Sequence, residues 1–160
     1  MNSADRVLPL EALLARLGPE RAAGRRVVFT NGCFDLLHAG HAGLLERAAA
    51  LGEILIVGLN TDASVQRLKG PRRPVVPERE RALLLASLRA VDYVVLFDEE
   101  TPLHLITELL PDILVKGEDY PLERIVGREV VESHGGQVVR LPLVPGLSSS
   151  GLIARLRSDP

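Results

Sequence analysis

Short apolar runs alternate along the chain with stretches whose apolar residues have helical spacing. Continuous apolar runs predict buried strands over residues 26–30, 54–59, 92–97, 112–116 and 137–141. Spacings of three and four predict helices over residues 8–17, 42–51, 77–88, 101–110, 122–134 and 151–156. This alternation of strand and helix predicts a single Rossmann-like, doubly wound α/β domain with a mainly parallel five-stranded sheet.

Local signals predict where several of these elements begin and end. We expect Gly18 and Pro19 to stop the first helix, and Thr101 to cap the helix that follows the third strand. Residues 67–74 are basic and rich in turn formers, which predicts a surface loop. Residues 1–25 are then a lead-in helix with its connection, and residues 26–160 form the main domain.

The stretch from Thr30 to His41 links the first strand to the following helix. Helix-terminal N–H groups and the helix dipole make such a turn an anion site in open α/β sheets. His38 and His41 are three residues apart, so on a helix their imidazoles share one side, and Gly40 lets a ligand approach the backbone. The polar clusters after strands one, two and four fall at the same sheet edge, where ligands bind in this fold class.

Two other interpretations of the histidine pair have less support in the sequence. One is a pair of hydrogen-bonded core histidines, and the other is a metal site. A metal would need further ligands, and the chain offers only Cys33, Asp35 and the distant His104 and His134. That is a poor zinc set, so we expect no metal held by protein side chains alone.

Composition limits the possible functions. A formal charge of −2 argues against a general nucleic-acid binder, and 3% aromatic residues leave little for bases to stack on. A single cysteine fits a reducing cytoplasm. No apolar run approaches the length of a membrane span, and no signal peptide is visible.

Five motifs in fixed order resemble the HxGH nucleotidylyltransferase superfamily over residues 26–157. They are His38-Ala39-Gly40-His41, Leu68-Lys69-Gly70, Arg73-Pro74, Lys116-Gly117-Glu118-Asp119-Tyr120 and Ser148-Ser149-Ser150. Within it the chain is most similar to the bacterial heptose 1-phosphate adenylyltransferases, which in many bacteria are fused to a sugar kinase. One departure is Leu143, near the position where the cytidylyltransferase relatives have an arginine, so no role is carried over for that arginine.

The resemblance implies that the chain transfers the adenylyl group of ATP to D-glycero-β-D-manno-heptose 1-phosphate, with Mg²⁺ bound to ATP. It implies catalytic roles for His38, His41 and Lys69. The nucleotide would be bound by Thr30, Asn31, Gly32, Cys33, Phe34, His38, His41, Lys116, Gly117, Glu118, Ser148, Ser149 and Ser150. The acceptor would be bound by Asp35, Asn60, Lys69, Arg72, Arg73, Arg81 and Asp119. We expect a cytoplasmic homodimer that binds neither nucleic acid nor membrane.

Several alternatives stay open at the level of sequence. The nearest is a cytidylyltransferase acting on glycerol 3-phosphate or a similar polyol phosphate, and a non-enzyme alternative is a nucleotide-binding regulatory module. A dinucleotide-dependent oxidoreductase would need a G-x-G-x-x-G turn, which Asn31-Gly32-Cys33-Phe34-Asp35 does not supply. Asp35 either orients a histidine or caps the helix, and Arg81 and Arg89 face either the cleft or water.

Overall fold

Five parallel strands form one sheet in the computed structural model, which describes residues 2–158. The spatial order is β3-β2-β1-β4-β5, which confirms the doubly wound α/β prediction. The strands are β1 (Val27–Gly32), β2 (Ile54–Asn60), β3 (Tyr93–Phe97), β4 (Ile113–Gly117) and β5 (Gln137–Leu141). The chain order reverses between β1 and β4, and the carboxyl ends of these two strands are therefore the switch point at which such folds bind ligands.

Helices connect the strands and cover both faces of the sheet. They are α1 (Leu10–Ala22), α2 (Ala39–Ala49), α3 (Asp62–Lys69), α4 (Glu78–Ser87), α5 (Leu103–Leu109), α6 (Arg128–Ser133) and α7 (Ser149–Ser158). Single 3-10 turns lie at Ser3–Arg6 and Leu122–Arg124. Among residues 2–158, no helix is long and apolar enough to cross a bilayer.

Alternate residues of each strand pack into two separate cores. Val27 and Phe29 of β1 lie in the core formed with α1, α5 and α6, whereas Val28 lies in the core formed with α2 and α4. The same alternation holds in β2, where Ile54 and Ile56 face the first core. Because successive strand residues point to opposite faces, a continuous apolar run is what a sheet covered on both sides requires.

The predicted end of the first helix is wrong. Helix α1 continues through Gly18 and Pro19 to Ala22, and Leu17, the residue just before the expected stop, is buried in the core. The carbonyl of Pro19 accepts the N–H of Ala23 at 3.1 Å, so the last turn is still hydrogen-bonded. The guanidinium of Arg21 then donates to the carbonyls that end α5. Tertiary packing here overrides the local breaker signal.

Helix α3 was not predicted, because most of its residues are polar. The sequence places residues 67–74 in a loop, but α3 extends to Lys69 and the loop begins at Gly70. The Thr61 hydroxyl caps α3 by accepting the N–H of Ser64 at 3.2 Å. A single buried apolar side chain, Val65, leaves no periodic pattern to detect.

Two further boundaries differ from prediction. Thr101 does not cap α5, because Pro102 occupies the N-cap position and no side chain makes a capping bond there. The helix predicted over residues 122–134 is interrupted at Gly127, whose φ is +85°. A Cβ at Gly127 would lie 2.6 Å from Cδ1 of Ile106, so the close packing of α5 also requires glycine there.

Two glycine-to-alanine substitutions should change stability in opposite directions. At Gly58 in β2, a Cβ would lie 2.8 Å from Cζ of Phe29, so Gly58→Ala should cost about 1–3 kcal/mol through overpacking. At Gly18 inside α1, a Cβ would have no atom within 4 Å beyond its chain neighbours and the backbone of its own helix, so Gly18→Ala should stabilise by about 0.5–1 kcal/mol. Urea denaturation of the two variants checks both signs, and equal effects would contradict this description of the packing.

Candidate active site

A cavity of about 490 Å³ opens at the carboxyl ends of β1, β2 and β4. The structure brings most of the sequence-predicted site residues to it. They are Thr30, Asn31, Gly32, Cys33, Phe34, Asp35, His41, Asn60, Lys69, Lys116, Gly117, Asp119 and Ser149. A larger cavity of about 650 Å³ lies at the end of β3, but Asp98, Glu99 and Glu100 line it, and these carboxylates would repel a phosphate.

The cavity forms because β1 and β4 separate at the switch point. The two strands pair only at Val28 and Phe29. Beyond that, side chains bridge the gap: the Thr30 hydroxyl donates to the carbonyl of Val115 at 3.0 Å, and the Lys116 ammonium donates to the side-chain oxygen of Asn31. Burial lowers the pKa of Lys116 to about 8. Lys116 thus places a cation at the floor of the cavity that is still mostly protonated at neutral pH.

The imidazoles of His38 and His41 stack at the start of α2. Their ring centroids are 3.8 Å apart, and the rings are inclined by 23°. Nδ1 of His38 accepts the N–H of Gly40 at 3.1 Å, and Nδ1 of His41 accepts the N–H of His38 at 3.4 Å. A neutral imidazole that accepts at Nδ1 carries its proton on Nε2, so both rings have Nε2–H as their free donor.

Both histidines are held neutral. Burial lowers the pKa of His38, and burial together with the nearby His38 and Lys69 lowers the pKa of His41 to about 4. His41 lines the cavity, and the His38 ring stacks on the His41 ring. Nε2 of His38 is buried and has no hydrogen-bond partner among residues 2–158. A buried donor without a partner is costly unless a ligand accepts its hydrogen bond.

Gly40 is required by the histidine pair. A Cβ at this position would lie 2.9 Å from Nδ1 and Cε1 of His38, and 3.3 Å from Cβ of Leu147. Any side chain here would displace the His38 ring or the segment that leads into α7. The spacing of the two histidines around a glycine is therefore a packing requirement as well as a motif.

Asp35 borders the cavity, but its carboxylate neither contacts a histidine nor caps α2, the two roles that the sequence suggested. Its side chain is fully buried and accepts from Nε of Arg73 at 2.8 Å and from the N–H groups of Val75 and Val76 at 2.8 and 2.9 Å. Burial would raise the pKa of Asp35, but these donors outweigh it and hold the pKa below its usual value. Asp35 thus anchors the loop that follows α3, including Arg73.

The predicted substrate contact of Arg81 is not supported, because its side chain is only 1% exposed. Its guanidinium donates to the carbonyls of Cys33, Asn60 and Val76 at 2.6 to 2.9 Å. It also pairs with Asp62 at 2.7 Å. Arg81 therefore connects the ends of β1 and β2 to the loop that follows α3. Arg89, in contrast, is exposed to solvent.

Other predicted residues lie in or beside the cavity in different ways. Ser149 is buried and donates to the carbonyl of Asp35, while Ser148 caps α7 by accepting the N–H of Gly151 at 2.9 Å. Ser150 and Arg72 line a neighbouring cleft, and Glu118 is exposed outside the cavity lining. Burial raises the pKa of the Cys33 thiol, which does not favour a nucleophilic role.

Several residues that line the cavity were not predicted from the sequence. They are Leu44, Leu68, Glu100, Thr101, Pro102, Tyr120, Arg124, Val126 and Leu143. Most are apolar or lie on irregular segments, where no motif distinguishes a wall from a core residue. Leu68 and Tyr120 do carry a sequence signal, because they belong to the Leu68–Gly70 and Lys116–Tyr120 motifs. The centroid of the Tyr120 ring lies 5.3 Å from the Lys116 ammonium.

Comparison with known proteins agrees with this geometry. The bifunctional protein HldE of Citrifermentans bemidjiense is 55% identical over 158 residues, or 99% of this chain. HldE of Caulobacter sp. (strain K31) is 57% identical over 154 residues, or 96% of this chain. The chain spans about a third of the length of these curated relatives, 32% in each case.

A solved structure and a family model extend the comparison. The lipopolysaccharide core biosynthesis protein from Thermoplasma volcanium GSS1 superposes with a TM-score of 0.62 at 29% identity. The match covers 76% of this chain and 98% of that protein. The sequence model of the cytidylyltransferase-like family matches residues 29–155, which contain most of β1, the other four strands, the histidine pair and the residues that line the cavity. The chain therefore belongs to the cytidylyltransferase-like family.

Proposed function

We propose that this chain transfers the adenylyl group of ATP to D-glycero-β-D-manno-heptose 1-phosphate, forming ADP-heptose and pyrophosphate. The observation that carries the proposal is the stacked pair of neutral histidines at the cavity, each with a free Nε2–H donor. Two neutral N–H donors side by side can hydrogen-bond the non-bridging oxygens of an α-phosphate. Negative charge builds up on these oxygens during the transfer, and the donors would stabilise it.

The choice of substrates rests on similarity. The ordered motifs resemble the heptose 1-phosphate adenylyltransferases, and the relatives called bifunctional protein HldE match nearly the whole chain at about 55% identity. The name of the Thermoplasma volcanium protein points to lipopolysaccharide core biosynthesis, which agrees with a sugar-phosphate acceptor. The polar Asn60 and Asp119 in the cavity lining suit a ligand rich in hydroxyl groups.

The proposed chemistry is a single in-line displacement. A phosphate oxygen of the sugar phosphate attacks the α-phosphorus of ATP, the bond to the β-phosphate oxygen breaks, and pyrophosphate leaves with the electron pair. No protein nucleophile is needed, so the protein contributes positioning and charge stabilisation. Nε2–H of His38 and His41 would donate to the α-phosphate, and Lys69 and Lys116 would neutralise substrate charge from two sides of the cavity.

Mg²⁺ would reach this site on the triphosphate. It prefers oxygen ligands and often remains on substrate phosphates and water. Asp35 is a poor ligand because both of its carboxylate oxygens already accept hydrogen bonds from Arg73, Val75 and Val76. Asp119 is the remaining Asp in the cavity lining. When bound, Mg²⁺ supplies neutralisation of the phosphate charge.

We also propose a cytoplasmic homodimer with no nucleic-acid or membrane partner. The single cysteine supports a reducing compartment. Leu83 and Leu84 on α4 are 47% and 49% exposed, and they would offer apolar surface to a second subunit.

Removing either histidine should impair turnover more than nucleotide binding. His38→Ala and His41→Ala should each lower kcat by about 10²–10³, the scale for the loss of one donor to a developing oxyanion. The affinity for ATP should fall much less. His104→Ala is the matched control, because His104 is exposed and lines the other cavity. A kcat near that of the wild type in both site variants would exclude this role.

The substrate pair can be tested with one preparation of the enzyme. Pyrophosphate release should be rapid with ATP and the heptose 1-phosphate, and about 10⁴-fold slower with CTP and glycerol 3-phosphate, because unpaired polar groups in the site penalise an acceptor that lacks the hydroxyls. Comparable rates would assign the chain to the cytidylyltransferases. Tight binding of nucleotide without release from any pair would favour a regulatory module.

A further inference from the structure

The outer side of α4 carries apolar side chains that the rest of the chain does not cover. Leu83 and Leu84 are exposed there, one after the other, although the inner side of the same helix is buried. Beside Leu83 lies a groove of about 490 Å³ between α4 and the 3-10 turn at Ser3–Arg6. Its apolar lining comes from Ala4, Val7, Ala82, Leu83 and Leu96. The two leucines and the groove together form the α4 face, and contiguous apolar surface of this kind marks a site of protein association.

The charged side chains around the α4 face are of both signs. Glu78 and Arg79 line the groove, Glu80 lies next to them, and Arg89 follows the helix. Arg79, Glu80 and Arg89 are exposed, and among residues 2–158 none of these three forms an ion pair. Two acids and two bases leave no net charge on this surface, so a copy of the same surface can approach it without net repulsion.

Two other exposed leucines lie on surfaces with an excess of one sign. Leu156 lies between Arg155 and Arg157 on α7, so a second copy would bring like charges together there. Leu103 lines a cleft in which acids outnumber bases by three to one. The charged residues of that cleft are Glu123, Arg128, Glu129 and Glu132. The balance of charges therefore distinguishes the α4 face as a surface for self-association.

The α4 face also complements itself in shape. A two-fold axis presents the same surface from both partners, so a stable contact needs a projection and a recess on one surface. The leucines supply the projection and the groove supplies the recess. A two-fold axis perpendicular to α4 makes the two helices antiparallel. Glu80 precedes the leucines and Arg89 follows them, so this arrangement brings Glu80 of one copy toward Arg89 of the other.

We propose that the α4 face binds a second copy of this chain about a two-fold axis. The leucines of each copy pack into the groove of its partner, and Glu80 pairs with Arg89 across the axis. The proposal rests on the homodimer proposed above and assigns its surface and its symmetry. No residue lines both the groove and the active-site cavity, so the second copy does not occupy the substrate site. Arg81 lies on the inner side of the same helix, so the contact forms behind the residue that connects β1 and β2 to the loop.

Sedimentation velocity of the full chain over a range of concentrations tests the proposal. The wild type should dimerise, and Leu84→Glu should weaken the dimer by about 30-fold or more, since it removes a central apolar contact from both copies. Leu103→Glu is the matched control, because Leu103 is 45% exposed against 49% for Leu84 and lies on α5, which packs into the other core. It should leave the dimer within about twofold of the wild type. Circular dichroism checks that each variant is folded.

Exchange of the two charges tests the two-fold arrangement without changing the apolar surface. Glu80→Arg and Arg89→Glu should each weaken the dimer by about three- to tenfold, because each places like charges opposite each other in both symmetry-related pairs. The double variant restores opposite charges across the axis and should dimerise within about twofold of the wild type. A double variant weaker than either single variant would contradict the pairing of Glu80 with Arg89.

Three further results would overturn the proposal. They are a wild type that stays monomeric even at about 100 μM, a Leu84→Glu variant that dimerises as tightly as the wild type, and an equal loss in Leu103→Glu. The reaction is tested separately by pyrophosphate release. If a monomeric wild type transfers the adenylyl group, the reaction stands and this interface is wrong. If Leu84→Glu breaks a dimer that transfers nothing, the interface stands and the reaction is wrong.

Discussion

The stacking of His38 on His41 is the constraint on which the active site depends. With ring centroids 3.8 Å apart, two imidazolium ions would repel each other by about 4 kcal/mol even at an effective dielectric constant of about 20. Burial acts in the same direction, because it lowers the pKa of both rings. The backbone N–H groups at the start of α2 then fix the tautomer. The result is a pair of neutral donors whose direction is set before any substrate binds, which is the condition under which such donors stabilise a transition state.

Two buried charged groups hold the walls around this pair. Arg81 joins the carbonyls at the ends of β1 and β2 to the loop, and Asp35 fixes the loop through Arg73 and two backbone N–H groups. A buried ion whose partners are all in place is tolerated, but removal of one partner leaves an uncompensated charge. Two buried side chains, those of Asp35 and Arg81, thus position the loop that carries Arg72 and Arg73. The charged residues of the site therefore form two groups. Asp35 and Arg81 hold the structure of the site, whereas Lys69 and Lys116 line the cavity and are placed to bind phosphate.

The sequence predicts the sheet well because its signal is strong and local. Apolar runs locate all five strands, and the histidines around Gly40 locate the anion site. The roles of Asp35 and Arg81 could not be predicted, because sequence spacing does not show whether a charged side chain points into a cavity or into the protein. Helix α3 was missed for a related reason, since a short polar helix held by the Thr61 cap and one buried valine has no periodicity.

The central claim is that both histidines are neutral donors through Nε2–H. The most direct test is an NMR titration of the ¹⁵N-labelled imidazole rings in the protein without ligand. The account predicts that at pH 7 both rings are neutral with the proton on Nε2, and that His41 takes up a second proton only near pH 4. A proton on Nδ1 of either ring, or a His41 midpoint at or above pH 6.5, would contradict it.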